Sequence, residues 1–155
     1  MKLLRKLTQD NNRRRDNMNI YFSGSIYGGR QKLEEYKKLV NELSKFGTVL
    51  NKEVADDDVI DNEINVSDND IFESLVERMD KADIIFAEVT VPSLGVGYEI
   101  GYADKSNKKI ICVYDKNVTQ KITTMLRGNK NLKIIPYEDL SEIVNNLENI
   151  LKEEI

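Results

Sequence analysis

The sequence contains no histidine and a single cysteine, Cys112. The missing histidine excludes Ser-His-Asp and Cys-His catalysis, and with one cysteine it also excludes zinc sites built from Cys and His. Acid–base chemistry is left to carboxylates, tyrosine, lysine and arginine. One cysteine cannot close an internal disulfide, which points to a reducing, cytoplasmic compartment. No apolar run approaches the ~18 residues that span a bilayer, so no membrane partner is expected. The opening residues carry no apolar stretch behind Lys2 and no small-residue cleavage site, so a secretory signal is not expected either.

What is present fits one globular domain. The chain has 155 residues, of which 40% are hydrophobic and 32% charged, enough to build a proper core. The net charge of −4 is unevenly spread. In residues 1–17, Lys2, Arg5, Lys6, Arg13, Arg14 and Arg15 outnumber Asp10 and Asp16. This segment reads as a basic, disordered extension, and residues 18–155 as the folded domain. The domain is acidic, which argues against a stable nucleic-acid partner.

From Met18 onward the hydrophobic period alternates between strand and helix. Strands are expected at 19–23, 48–50, 84–87, 109–114 and 132–135. Helices are expected at 31–46, 70–81, 95–106 and 117–127, and a last one carries Leu140, Ile143, Val144, Leu147, Ile150 and Leu151 at helical spacing. Asn117 reads as the N-cap of the 117–127 helix. Residues 52–68, rich in Asp and Asn, read as a loop. This order implies an α/β fold: a doubly wound, five-stranded parallel sheet in a three-layer sandwich of the Rossmann or flavodoxin type. Such sheets bind ligands beyond the carboxyl ends of their strands.

That rule directs attention to two loops. Gly24-Ser25-Ile26-Tyr27-Gly28-Gly29-Arg30 joins a strand to a helix N-terminus, and Arg30 adds a positive charge. Close main-chain approach and free N–H groups suit an anion such as a phosphate. The spacing matches neither GxGxxG nor GxxxxGK[ST]. A tight turn that needs glycine for its own geometry accounts for this loop equally well. The second loop runs from Glu88 to Gly101, where Ser93, Gly95 and Gly97 again suit an anion. Glu99 is expected in the first turn of the following helix, where the dipole should hold it as an anion with no raised pKa. An ionised carboxylate suits nucleophilic work, although a Glu there also stabilises a helix start. Tyr21 lies near the carboxyl end of the first strand, where tyrosines ordinarily pack in the core.

Several strings resemble the 2'-deoxynucleoside 5'-phosphate N-hydrolases, within the wider nucleoside 2-deoxyribosyltransferase group. They are Tyr21 to Ile26, Gly28-Gly29-Arg30, Phe46 to Leu50, Ala82-Asp83, Ala87 to Thr90, Pro92 to Glu99 and Met125 to Gly128. The resemblance implies hydrolysis of the N-glycosidic bond of a (2'-deoxy)nucleoside 5'-monophosphate, giving free base and a sugar 5-phosphate. It makes Glu99 the nucleophile that forms a glycosyl ester, as in a retaining glycosidase. Tyr21 then helps to position it. Ser25, the main chain from Gly24 to Arg30 (with Ile26, Tyr27, Gly28 and Gly29 between) and Ser93 contact phosphate and sugar. The resemblance further implies a homodimer in which Thr123, with Met125 beside it, reaches the partner's phosphate site. No metal and no organic cofactor is implied.

Three positions depart from the family pattern. An acid in the helix before Ala82-Asp83 is replaced by Leu75, which also fits its helix's apolar stripe. Asp70, Glu73, Glu77 and Glu88 are candidate substitutes. Tyr27 stands in place of a loop arginine, and Glu53 in place of a histidine. Alternative readings are a deoxyribosyltransferase, which passes the sugar to a base instead of water, a nucleotide-binding protein that has lost catalysis, and a phosphoribohydrolase similar to the cytokinin-activating family.

Overall fold

The computed structural model describes residues 18–153; the basic extension expected at 1–17 lies outside them. The five strands are β1 (Asn19–Ser23), β2 (Thr48–Val49), β3 (Ile84–Glu88), β4 (Lys109–Asp115) and β5 (Leu132–Tyr137). They form one parallel sheet in the order β2-β1-β3-β4-β5. This is the flavodoxin-like form of the doubly wound fold, whose switch point lies between β1 and β3. Every residue of β3 is buried, as a central strand covered on both faces requires.

Alternation along the strands splits the core in two. Ile20, Phe22, Phe86, Ile111 and Val113 face one layer, formed by helices α1 (Leu33–Leu43) and α6 (Leu140–Lys152). Phe22 meets Tyr36 of α1 edge to face, with ring centroids 5.7 Å apart. Tyr21, Ile85, Ala87, Ile110 and Cys112 face the other layer, formed by α3 (Asp68–Lys81) and α4 (Leu94–Lys105). The helix starts carry caps that match their sequence. Ser67 accepts from the Asp70 N–H at the head of α3, and Asp139 with Glu142 forms a capping box at α6.

Two expectations need correction. Residues 52–68 are not a plain loop: they hold a 3-10 turn, Lys52–Ala55, and a short helix, α2 (Val59–Glu63). Val54, Ala55 and Val59 are buried there, anchoring a stretch whose Asp and Asn residues face solvent. The 117–127 helix is reduced to one turn, α5 (Thr124–Arg127), capped by Thr123. Asn117 does not open it, because its N–H donates to Asp115 Oδ1 (2.9 Å) and its amide to the Glu138 carbonyl (2.9 Å). Those bonds close a turn after β4 before a helix can start.

Strand β2 is too short to pair all of β1, and the side chain of Asn51 completes the ladder. Its Oδ1 accepts from Phe22 N–H at 2.8 Å and its amide donates to the Phe22 carbonyl. Asn51 is fully buried. Asn51→Leu strands both main-chain groups in the core and should cost roughly 2–4 kcal/mol. In urea unfolding the midpoint falls while the slope stays the same.

Candidate active site

Both loops singled out from the sequence open at the β1/β3 switch point. Tyr21 and Ser23 lie two residues apart on β1, so both side chains leave the sheet on the α4 side. There they meet Glu99. Tyr21 Oη donates to Glu99 Oε1 at 2.7 Å, and Ser23 Oγ donates to Oε2. The Ser23 contact was not read from the sequence, although its spacing from Tyr21 was the available signal.

The protonation of Glu99 differs from expectation. Ser93 caps α4 and Leu94 begins it, so Glu99 lies in the second turn, beyond the reach of the helix-end charge. Burial instead pushes its carboxyl above the ordinary carboxylate range, while donation from Ser23 and Tyr21 pulls it back down. Burial also drives the Tyr21 phenol far above its usual value, and the Glu99 carboxylate adds to that. Tyr21 therefore stays protonated and remains a donor.

The two glycine-bearing loops touch. A Cβ on Gly28 would lie 2.5 Å from the Pro92 carbonyl oxygen and 2.8 Å from Ser25 Oγ, so only glycine fits there. Gly29 has φ +132°, a conformation glycine adopts without strain. Ser25 Oγ is buried with no hydrogen-bond partner among the described residues. The N–H groups of Ile26, Tyr27 and Gly28 also make no hydrogen bond among the described residues. Ser93 Oγ accepts from Val96 N–H as the α4 cap. An unpaired hydroxyl beside Gly28, with unpaired main-chain N–H groups in the same loop, suits an anion.

Beside Glu99 opens a cavity of about 300 Å³. Ile71, Phe72, Leu75, Val76 and Met79 of α3 form its apolar wall, and Gly95 and Tyr98 of α4 complete it. Phe72 and Tyr98 sit edge to face, 6.1 Å between centroids. Leu75 thus lines the cavity that holds Glu99 while also packing on the core. Glu63, Asp68 and Tyr27 supply the remaining polar groups.

Other expected participants are placed elsewhere. The Arg30 guanidinium donates to the carbonyls of Ser25 (3.2 Å), Val54 (2.9 Å) and Asp56 (2.7 Å), so it ties the loop to the 3-10 turn and is not directed at the cavity. Thr123 and Met125 are exposed and do not line the cavity of their own chain. None of the four candidate substitutes for the missing acid reaches it. Asp70 pairs with Ser67 and Glu73 with Asn69, both at the surface; Glu77 pairs with Lys81. Glu88 points to the α1/α6 layer, where Thr90 and Tyr137 donate to it and burial raises its pKa. Glu53 forms an ion pair with Arg78. Among the described residues no three carboxylate or thiol groups converge as a metal would require.

The sequence profile of the nucleoside 2-deoxyribosyltransferase family matches residues 20–145. The chain belongs to this family. It is 40% identical over 137 residues to the 5-hydroxymethyl-dUMP N-hydrolase of Danio rerio, covering 88% of this chain and 94% of that one. It is 41% identical over 125 residues to the enzyme of the same name from Homo sapiens, covering 77% and 72%. The structure of the Clostridium botulinum CMP N-glycosidase BcmB shares the fold, with TM-score 0.62 and 21% identity over 85% of this chain and 98% of that one.

Two measurements check this geometry. In a carbon-detected titration of the side-chain carboxyls, Glu99 should protonate above the ordinary range. Tyr21→Phe or Ser23→Ala should move that midpoint further up, since each removes a donor to the charged form. Gly28→Ala should separate the two loops and lower the melting temperature by several degrees, equivalent to roughly 1–3 kcal/mol.

Proposed function

We propose that this family member hydrolyses the N-glycosidic bond of a nucleoside 5'-monophosphate, releasing free base and a sugar 5-phosphate. The observation that carries the reading is the Glu99 carboxylate, held by Tyr21 and Ser23 between an unpaired anion cradle and an apolar cavity. The phosphate sits on Ser25, the main chain from Gly24 to Gly29, and the Ser93 turn. The base lies against Phe72, Leu75 and Tyr98.

Glu99 attacks C1' as the C1'–N bond breaks, and the base leaves with the bonding pair and takes a proton from solvent. Water then attacks C1' of the glycosyl ester, restoring the carboxylate and yielding the sugar phosphate. Tyr21 and Ser23 fix the orientation of the carboxylate and favour its ionised form by donating to it. Arg30 supports the cradle from behind through its three carbonyl contacts.

The same reading includes a cytoplasmic homodimer in which Thr123 of one copy completes the phosphate site of the other. Leu94 and Met125 are 97% and 80% exposed, and apolar side chains so open to water favour such a contact. A second reading, a nucleotide-binding protein with impaired turnover, rests on Leu75 in the cavity wall, where the family resemblance expects an acid.

Base release from a panel of ribo- and deoxyribonucleoside monophosphates tests the main reading. Release that falls at least ~10³-fold in Glu99→Ala, with nucleotide binding retained, is the expected result. Binding without release from any nucleotide would favour the second reading. Sedimentation should give a particle near twice the 17.9 kDa chain mass. Thr123→Ala should weaken binding of the monophosphate by roughly 10-fold and leave binding of the matching nucleoside unchanged.

A further inference from the structure

Resting on the nucleotide reading above, we propose that Glu63, oriented by Tyr27, reads the base and selects an amino group where uracil and thymine carry a carbonyl. The cavity wall from α3 is apolar and can stack a base but cannot tell one polar edge from another. Discrimination must come from the polar groups at the mouth. Besides Glu99 and the Tyr98 hydroxyl on α4, those are Tyr27 on the β1–α1 loop, Glu63 at the end of α2 and Asp68 at the start of α3.

All three present acceptors. Tyr27 Oη donates to Glu63 Oε2 at 2.9 Å, so its proton is engaged and its oxygen keeps only acceptor capacity. With one oxygen held by Tyr27, the Glu63 carboxyl group is fixed in orientation and its other oxygen is left to accept from a base. Asp68 adds a second carboxylate, and no lysine or arginine lines the cavity to offset them.

A carboxylate pair of this kind needs an N–H donor opposite it. Cytosine offers one at position 4 and adenine at position 6. Uracil and thymine place a carbonyl oxygen at that position and keep only the ring N3–H as a donor, so an acceptor aimed at position 4 meets another acceptor. Tyr27 and Glu63 come from segments 36 residues apart. Position 27 is also where the resemblance expects an arginine, so a positive charge is absent from the mouth and a neutral phenol stands there.

The test compares dCMP with dUMP, which differ at the relevant edge, with dAMP, dTMP and 5-hydroxymethyl-dUMP as further arms. Dissociation constants are measured by calorimetry on the full chain, and base release is followed separately by chromatography. The native protein should bind dCMP roughly 10–100-fold more tightly than dUMP, the worth of one hydrogen bond to a charged acceptor. Glu63→Gln should bring that ratio close to one, because the amide can donate to the uracil carbonyl. Glu73→Gln, on the outer face of α3, should leave the ratio unaltered. Equal binding of dCMP and dUMP by the native chain overturns the inference, as does a ratio that survives Glu63→Gln. Tighter binding of 5-hydroxymethyl-dUMP than of dCMP overturns the amino-group assignment. Selective binding without base release would overturn the hydrolytic reading and leave base selection standing. Release of all bases at equal rates would do the reverse. Failure of every nucleotide to bind overturns both.

Discussion

The site depends on two hydroxyl groups from one strand converging on one carboxylate from a helix. Tyr21 and Ser23 bring their donors to the two oxygens of Glu99, and this contact joins β1 to α4 across the switch point of the sheet. Burial alone would drive Glu99 toward its neutral form, and the two donors counter that tendency. The carboxylate is therefore held in one orientation, next to an apolar cavity and an anion cradle. Stability and chemistry share the same bonds: without the donors, the acid would be both displaced and harder to ionise.

Around this contact the scaffold places its polar groups by layer. Pleating sends Tyr21 and Ser23 toward α4, and Phe22 and Glu88 toward α1 and α6. A buried acid, Glu88, and a half-buried one, Glu99, thus stand on opposite faces of one sheet with separate partners. Glu88 is satisfied by Thr90 and Tyr137 and fixes the turn after β3. Arg30 acts in a similar supporting way, bracing the cradle through carbonyls. Glu99, by contrast, couples a half-buried carboxylate held by two donors to open volume.

The mouth of the cavity is where this chain is most individual. Leu75 makes the inner wall more apolar, while Glu63 and Asp68 concentrate negative charge at the rim. A stacked base would meet a dry wall on one side and acceptors on the other. That division of labour, shape from α3 and polarity from the short helix α2, gives the pocket a direction it would lack with either part alone.

The sequence by itself determined the parallel α/β sheet, the two glycine-bearing loops and the candidacy of Tyr21 and Glu99. The sheet and the loops follow from short-range signals, hydrophobic period and glycine spacing, whereas the roles of Tyr21 and Glu99 came from the family resemblance. The tertiary structure decided what depends on contacts between distant segments. Ser23 became a partner of Glu99 only once β1 and α4 packed together. Arg30 was drawn away from the cavity by carbonyls at Val54 and Asp56, from a segment that composition marked as loop. The raised pKa of Glu99 and the arrival of Glu63 in the pocket have the same origin. Burial and through-space hydrogen bonds belong to the packed chain, and no local pattern of residues encodes them.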